Sequence, residues 1–394
     1  LRQKTPGRSG GRRAERGQAL ILVMLVLLVL AVLGSAVVTL AASHRLSSAR
    51  QESLMQAYYA AEAGAERVLA RIRYEPGWFS GLPADVEQTV FSNVPYAGGK
   101  ILEVTLKKVP VGIATRVEIT SVGIFGPPDE PLARKTLNVS VLVSAASDLV
   151  RGVSVLPESP TSLNLKGNFS LEPAEGVDGV KFVLNGDLDL GGASRIVGDV
   201  YASGTITGTD KITGHAYAGY TGVPTFPVIE EEWYRIEAQR NGRYYAGDVV
   251  LGGESGSTSY AGIYFAEGAI EISGEYSGQA VIVAKGGITV EDDLKAESGN
   301  DLLVLISLAD VSIRNFEVDA VVIAANTFQA WGKATLYGGL VARGLDLPGA
   351  GGGGGGAVGI VCNPQLVEGL PPEVLQGVSS SIKIESWRER YPVL

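Results

Sequence analysis

At 394 residues the chain is long enough for two or three domains, and its 45% apolar content excludes a disordered chain. The net charge of −9 is uneven: the first 17 residues carry six of the 33 Lys and Arg and one of the 42 acids. The rest therefore stands at −14, which excludes nucleic acid as a partner, because phosphates need basic patches; the single Cys362 excludes an internal disulfide. In chain order, the basic leader (1–17) is followed by Ala19 to Ala42, 24 residues without a charge, with Leu20 and Leu22 near its start. About 20 such residues cross a bilayer core as a helix, whereas a signal-peptide core is about 7–15 residues long. The segment reads as an anchor; cleavage at the small residues of Leu40–Ser43, which would discard it, is the alternative. Arg12, Arg13 and Arg16 precede the span and hold that end in the cytoplasm, which puts the chain after Ser43 outside the membrane.

The helix is expected to continue. From Leu46 to Arg73 there is no Pro, and Leu54, Tyr58, Ala61, Ala65, Val68 and Ile72 form one apolar stripe at a period near 3.5 (~3.5 residues). Pro76 and Gly77 end it. Residues 19–73 predict a rod of about 80 Å, whose outer stripe packs on its own domain, on other copies, or on both at different turns.

The leader, Gly17-Gln18, Ala19-Leu20, the apolar run and the downstream Ala61-Glu62-Ala63-Gly64 together resemble the N-terminal segment of type IV pilins, in particular PilX-type minor pilins. The resemblance covers residues 12–73 and extends more loosely to about 145. It implies cleavage by a prepilin peptidase between Gly17 and Gln18, with the helix retained. It also implies membrane insertion and filament packing through Ala19–Ala42, with other pilins and the pilus assembly platform as partners. Major pilins carry Glu at the fifth mature position; counted from Gln18, that position is Leu22. An unpaired charge in an apolar core is costly, so the missing carboxylate fits a minor subunit, at a tip or in an initiation complex.

Beyond the helix, alternation predicts strands at roughly 100–109, 115–124 and 133–144, a small antiparallel sheet of pilin type within a β-rich domain over 75–148. A repeat follows. Apolar residues recur at offsets 0, 2, 7 and 9, in the sets Ile263, Phe265, Ile270, Ile272; Val281, Val283, Ile288, Val290; Val304, Ile306, Val311, Ile313; Val321, Ile323, Phe328, Ala330; and Gly338, Leu340, Leu345, Leu347. Lys181, Val183, Leu188 and Leu190 fit the template in three of four places. Two in-facing residues per short strand, a tight turn and two more make the rung of a β-solenoid. The repeat resembles the bactofilin-type right-handed β-helix, which implies the fold. The expected class is α+β: a long transmembrane helix, the small sheet, then a mainly-β right-handed solenoid. The expected divisions are 18–74 for the helix, 149–362 for the solenoid with a helix inserted near 228–240, and 363–394 for a C-terminal tail.

Candidate chemistry is thin. Glycoside cleavage needs two carboxylates about 5–9.5 Å apart in a cleft; Glu267 with Glu271, or Glu291, Asp292 and Asp293, are the candidates, and solvated solenoid turns are the plainer reading. His44 and His215 are isolated, so no nucleophile–base set is expected. Asn185, Asp187 and Asp189 alternate on one strand face and would suit Ca²⁺, but Leu190 stands where a calcium loop needs Gly. The glycine-rich 348–359 lacks the Lys and following helix of a phosphate loop, and the sequon Asn138-Val139-Ser140 falls in a strand. We expect no enzyme, cofactor or metal. The expectation is a structural minor-pilin-like subunit in the cytoplasmic membrane, crossing once with its C-terminal part outside and reaching the cell surface on a pilus. Its solenoid would serve assembly or adhesion, with a surface glycan as a candidate ligand. A tip-class pseudopilin of type II secretion, an anchored polysaccharide-binding or polysaccharide-cleaving β-helix, and a plain anchored scaffold that is never cut at Gly17 stay open.

Overall fold

The computed structural model describes residues 12–177, 179–253, 256–347, 357–364 and 375–390. One helix, α1 (Arg12–Tyr74), carries both the apolar and the amphipathic run. Its 63 residues make about 95 Å at 1.5 Å per residue. Residues 1–11 of the leader lie outside the description, as do the side chains of 12–19. A short helix, α2 (Pro76–Gly81), follows. Its first-turn proline is tolerated there but could not continue α1.

Four strands come next: β1 (Glu87–Tyr96), β2 (Gly99–Val111), β3 (Ala114–Phe125) and β4 (Ala133–Ser144). They pair antiparallel in sequence order, and a fifth strand, Ser381–Arg390, closes the sheet against β4. Three of these strands lie where alternation put them. Strand β1 is harder to read because its pairing shifts register between Thr89 and Phe91, which breaks the alternation. The expectation of a tail over 363–394 is corrected: Ser381–Arg390 belongs to the sheet. Its sequence, SIKIESWRER, carries charges on an edge strand, where one rim faces water and local pattern is weakest.

A four-residue helix, α3 (Ala146–Leu149), leads into parallel strands that stack as a solenoid of about eight turns. Each complete turn has three walls. In one turn Gln279–Ala284 forms the first wall, and Ile288–Ala296 bends to supply the second and third. The first-wall register runs Ile263↔Val281↔Val304↔Val321. The second-wall register runs Ile270↔Ile288↔Val311↔Phe328. Both are the alignments the repeat predicts. The last set is corrected by one residue on the first wall, where Ile323 pairs with Val341 and Val322 with Leu340; on the second wall Phe328 pairs with Leu345 as expected.

The facing of the first wall is corrected as well. Positions 7 and 9 point into the solenoid, but positions 0 and 2 point out of it. Ala280, Ile282, Leu303, Leu305, Ala320 and Val322 fill the interior. Ile263, Phe265, Val281, Val283, Val304, Ile306, Val321 and Ile323 make a second, external core. Helix α4 (Glu231–Arg240), found where an inserted helix is expected, covers that outer face with Tyr234 and Ala238, helped by Leu149 and Val378. A strand buried on both faces reads as a continuous apolar run, such as Ala280-Val281-Ile282-Val283-Ala284, so the pattern has no phase to show which side is in.

The chain enters the solenoid in the middle of the stack. Val153–Val155 pairs with Val180–Leu184 on one side and with Leu340–Ala342 on the other. From there the chain climbs to Ala216–Tyr217 at one end. It then runs back through α4 to Tyr244–Tyr245 at the opposite end, and climbs again until it meets its own starting strand. Two separate chain segments therefore complete one continuous interior core.

Candidate functional site

Helix α1 has two halves of opposite character. From Leu20 to Leu46 every large apolar side chain is exposed, including Leu22 at 66%. Ser35, Thr39 and Ser43, the hydroxyl residues of this run, donate to the carbonyls of Val32, Ser35 and Leu40 at 2.8 Å, so the run keeps no unsatisfied hydroxyl donor. Among the described residues this is the one helix long and apolar enough to cross a membrane. Ala42 lies toward its C-terminal end and is exposed. Gly17, Gln18 and Ala19 are helical in backbone; their side chains lie outside the described residues.

The other half is seated on the sheet. Ala57, Ala60, Ala61, Ala65, Val68 and Ile72 are fully buried. Ala61, Ala65, Val68 and Ile72 pack with Ile101, Val104, Ile119, Leu137 and Val139 of the sheet. Gly64 shows why the Ala61-Glu62-Ala63-Gly64 run needs small residues. A Cβ there would stand 2.3 Å from Ser121 Oγ and 2.8 Å from Val104 Cγ2. The partner on the sheet is Gly123, where a Cβ would stand 2.1 Å from the Ala57 carbonyl oxygen and 2.4 Å from the Ala61 nitrogen. Helix backbone and strand backbone thus touch, while Glu62 and Ala63 stay half-buried at the side. Ser121 and Gly123 were not picked out by sequence reasoning; a glycine inside the apolar strand Ser121-Val122-Gly123-Ile124 is the signal that a backbone approaches closely.

Of the candidate acids, Glu267, Asp292 and Asp293 are engaged in hydrogen bonds. Glu267 accepts from Arg235 Nε at 2.7 Å and from the Tyr244 hydroxyl at 3.3 Å, with Lys285 at 3.5 Å. Arg235 also pairs with Glu231 and Glu232, so Glu267 fastens α4 to the solenoid. Asp293 caps the Glu317 N–H of the next turn at 2.9 Å and pairs with Lys295 at 3.0 Å. Asp292 accepts from the Asp293 N–H. Glu271 and Glu291 are exposed on the second wall.

The candidate calcium strand serves the same structural end. Asp187 accepts from the Thr205 N–H at 2.6 Å and the Thr205 hydroxyl at 2.7 Å. Asp189 takes the Thr207 hydroxyl and pairs with Lys166, and Asn185 accepts from Ser203. These side chains link one turn to the next, and among the described residues no group of three ligand-type side chains gathers. Most of the glycine-rich 348–359 lies outside the described residues. Burial pushes the Cys362 thiol up to about 12, away from any reactive thiolate.

The α4 fastening predicts an acid-sensitive contact. The Arg235 guanidinium, through its hydrogen bond, holds the Glu267 carboxyl below the usual carboxylate range. A carboxyl that loses its proton more readily in the folded than in the unfolded chain adds stability above its unfolded pKa. That stability is lost as pH falls through the folded value, from about pH 4.5 downward. Melting curves recorded between about pH 6 and pH 3 should be steeper in pH for the native chain than for Glu267→Gln; identical slopes would remove Glu267 from the acid response.

The crystal structure of the competence-associated pilin ComZ from Thermus thermophilus is similar at 13% identity, over 86% of this chain and 97% of that one, with a TM-score of 0.33. That of an ice-binding protein from the Antarctic ascomycete Antarctomyces psychrotrophicus is similar at 15% identity, over 56% of this chain and 98% of that one, with a TM-score of 0.27. Comparison with curated proteins gives no match. Residues 16–66 match the family model described as PilX N-terminal. The match ends just past Gly64, so it takes in both the exposed apolar run and the small-residue seat on the sheet: this part of the chain is similar to the N-terminal region of PilX.

Proposed function

We propose that the chain is a minor-pilin-like subunit of a type IV pilus or a related filament, inserted by α1 and carrying its solenoid outside the membrane. One observation carries this reading. The same helix leaves every large apolar side chain exposed from Leu20 to Leu46 and is fixed to a folded domain from Ala57 to Ile72. Exposing a large aliphatic side chain to water costs roughly 1.5–3 kcal/mol, so the run belongs in lipid or against other apolar helices. Both environments are available to a subunit that waits in a bilayer and then enters a helical filament core. The uncharged Leu22 fits such a core without a paired carboxylate.

Prepilin peptidase would cut between Gly17 and Gln18, removing the basic leader and keeping the helix. The test is the mature N-terminus, read by mass spectrometry of protein purified from its own host. A chain beginning at Gln18 is the expected result. A chain beginning near Ser43 would make the apolar run a discarded signal, and one that retains Arg12 and Arg13 would leave an anchored scaffold; either result overturns the reading.

A further inference from the structure

A narrow neck joins the five-stranded sheet to the solenoid. Among the described residues the chain passes between them where β4 ends at Ser144 and where the strand Ser381–Arg390 begins, and Ser144 is paired in register with Ser381. The neck is built of small polar residues. Ser144, Ser379, Ser380 and Ser381 are all buried, and the Ser144 and Ser379 hydroxyls have no hydrogen-bond partner. A buried hydroxyl left unpaired costs stability, and serine brings little apolar contact to offset it. The crossing is therefore the weak place between two well-packed bodies, the sheet under α1 and the solenoid.

A strap leaves the end turn of the solenoid, just past Ala216–Tyr217, and ties down both sides of this neck. On the solenoid side the Tyr220 N–H donates to the Ala202 carbonyl at 2.9 Å, and the Tyr220 ring stands edge-on to Tyr201 with centroids 5.1 Å apart. The Tyr220 hydroxyl reaches the turn between β2 and β3. It donates to the Val111 carbonyl at 3.1 Å and accepts from the Ile113 N–H at 3.4 Å. Further along the strap, the Thr221 carbonyl accepts from Lys383 Nζ at 3.2 Å, and the Thr225 N–H donates to Ser381 Oγ at 2.9 Å. One stretch, Tyr220 to Thr225, thus holds the tip of a hairpin and the start of the closing strand. The hairpin tip also has room beside it: an open cavity of about 370 Å³ lies between Gly112, Ile113 and Thr115 on the sheet side and Gly152, Lys181 and Val183 on the solenoid side.

We propose that this strap is a latch. With Tyr220 closed on the hairpin tip, the solenoid stands at one fixed angle to the sheet that carries α1. With Tyr220 released, the solenoid swings about the serine neck and the hairpin tip moves into the cavity. The neck is the hinge, where a few residues at strand ends absorb the rotation. The Tyr220 contact is a pair of neutral hydrogen bonds, each modest in net worth, so it yields before the seat of α1, where the Gly123 strand lies against helix backbone. The swing therefore changes the direction of the solenoid and leaves the helix seat intact. Gly112 is the place to force it: a Cβ there would stand 2.3 Å from the Tyr220 hydroxyl, on a backbone with φ of +59°. That hydroxyl is the movable end of a side chain, so it gives way and the latch opens.

The experiment uses the full chain in detergent micelles, spin-labelled at Glu118→Cys on the sheet and Asp210→Cys on the solenoid, two exposed positions; the buried Cys362 stays unlabelled. Pulsed double-resonance spectroscopy should give one narrow distance in the otherwise native chain. Tyr220→Phe should raise the fraction of chains outside that distance about tenfold, the worth of a lost hydrogen bond. Gly112→Ala combined with Tyr220→Ala should put most chains at a second distance. A label pair within the sheet, Glu118→Cys with Arg134→Cys, should keep its distance in every variant. Retention of the single native distance by the Gly112→Ala, Tyr220→Ala chain overturns the latch, and so does a native chain already spread over many distances. A change in the within-sheet pair as well would mean that the sheet has come apart, which removes the swing. A single distance in every variant, beside a mature chain that starts at Gln18, would remove the latch and leave the pilin-like reading standing.

Discussion

Replacing Gly123 by alanine is expected to unseat α1 from the sheet, at a cost of about 3 kcal/mol or more. The atoms a new Cβ would meet are the Ala57 carbonyl oxygen at 2.1 Å, the Ala61 nitrogen at 2.4 Å and the Ala60 carbonyl carbon at 3.0 Å. All three are helix backbone, which cannot rotate aside, so the whole helix must lift. Lifting separates Ala57, Ala61 and Ala65 from the strands beneath and opens space along a buried face. Gly64→Ala should be milder, because its nearest neighbour is the Ser121 hydroxyl, the movable end of a side chain. Gly34→Ala is the control: nothing lies within 4 Å of its Cβ position, and alanine favours the helix. Thermal melting of the detergent-solubilised full chain should therefore rank Gly123→Ala below Gly64→Ala, and Gly64→Ala below Gly34→Ala. A Gly123→Ala chain that melts with the native one would show that the helix is not held by backbone contact at this strand.

The seat illustrates what a sequence shows and what it withholds. The stripe Ala61, Ala65, Val68, Ile72 was readable from period alone, because a helix half in contact with a sheet has one wet face and one dry face. Which strand residue receives it was not, because Gly123 lies far along the chain from the Ala57 and Ala61 backbone it meets, and contact across that separation leaves no local pattern. The solenoid divides the same way. Strand register was legible, since equal spacing of apolar positions is what stacking requires. Facing was not legible on the first wall, where α4 buries the outer side and Val281 and Ile282 are equally apolar. On the second wall, where water is on one side, Ile288 and Val290 alternate with Thr289 and Glu291 and the inward pair was read correctly. Mid-stack entry at Val153 escaped as well: a repeat that runs in sequence order looks the same whether its turns stack in that order or are joined in the middle.

The acids were visible as residues but not as links. Asp187 and Asp293 point to backbone N–H groups one turn away, about 18 to 24 positions along the chain. Each occupies a place where a solenoid must satisfy the donors of a tight corner. One residue of the candidate calcium strand, Asp187, and one of the candidate acid cluster, Asp293, thus share a role, the capping of the next turn.

Truncation after Ser380 is expected to destabilise the sheet by on the order of 3–5 kcal/mol and to make the protein self-associate. Strand Ser381–Arg390 pairs with β4 from Ser381↔Ser144 to Arg390↔Thr136, and Ile382 and Trp387 pack against the core beneath α1. Removing it bares the backbone edge of β4, a strand whose Leu137, Val139, Val141 and Val143 are buried and β-prone. An open apolar edge of that kind pairs with another copy. The cut spares α4, because Val378 and the Gly377 carbonyl that accepts the Glu230 N–H lie before it, so the solenoid should keep its outer cover. The effect should come from the ladder more than from the Arg116–Glu385 ion pair. Glu385 pairs with Arg116 at 2.8 Å and accepts from Ser140 at 3.0 Å, but Arg116 is 38% exposed and Glu385 27%. Glu385→Gln should therefore cost less than about 1 kcal/mol. Melting and size-exclusion profiles of the truncated chain and of Glu385→Gln separate the two contributions. If the truncated chain stays monodisperse and melts with the native one, β4 is held by β3 and α1 and its outer edge needs no partner.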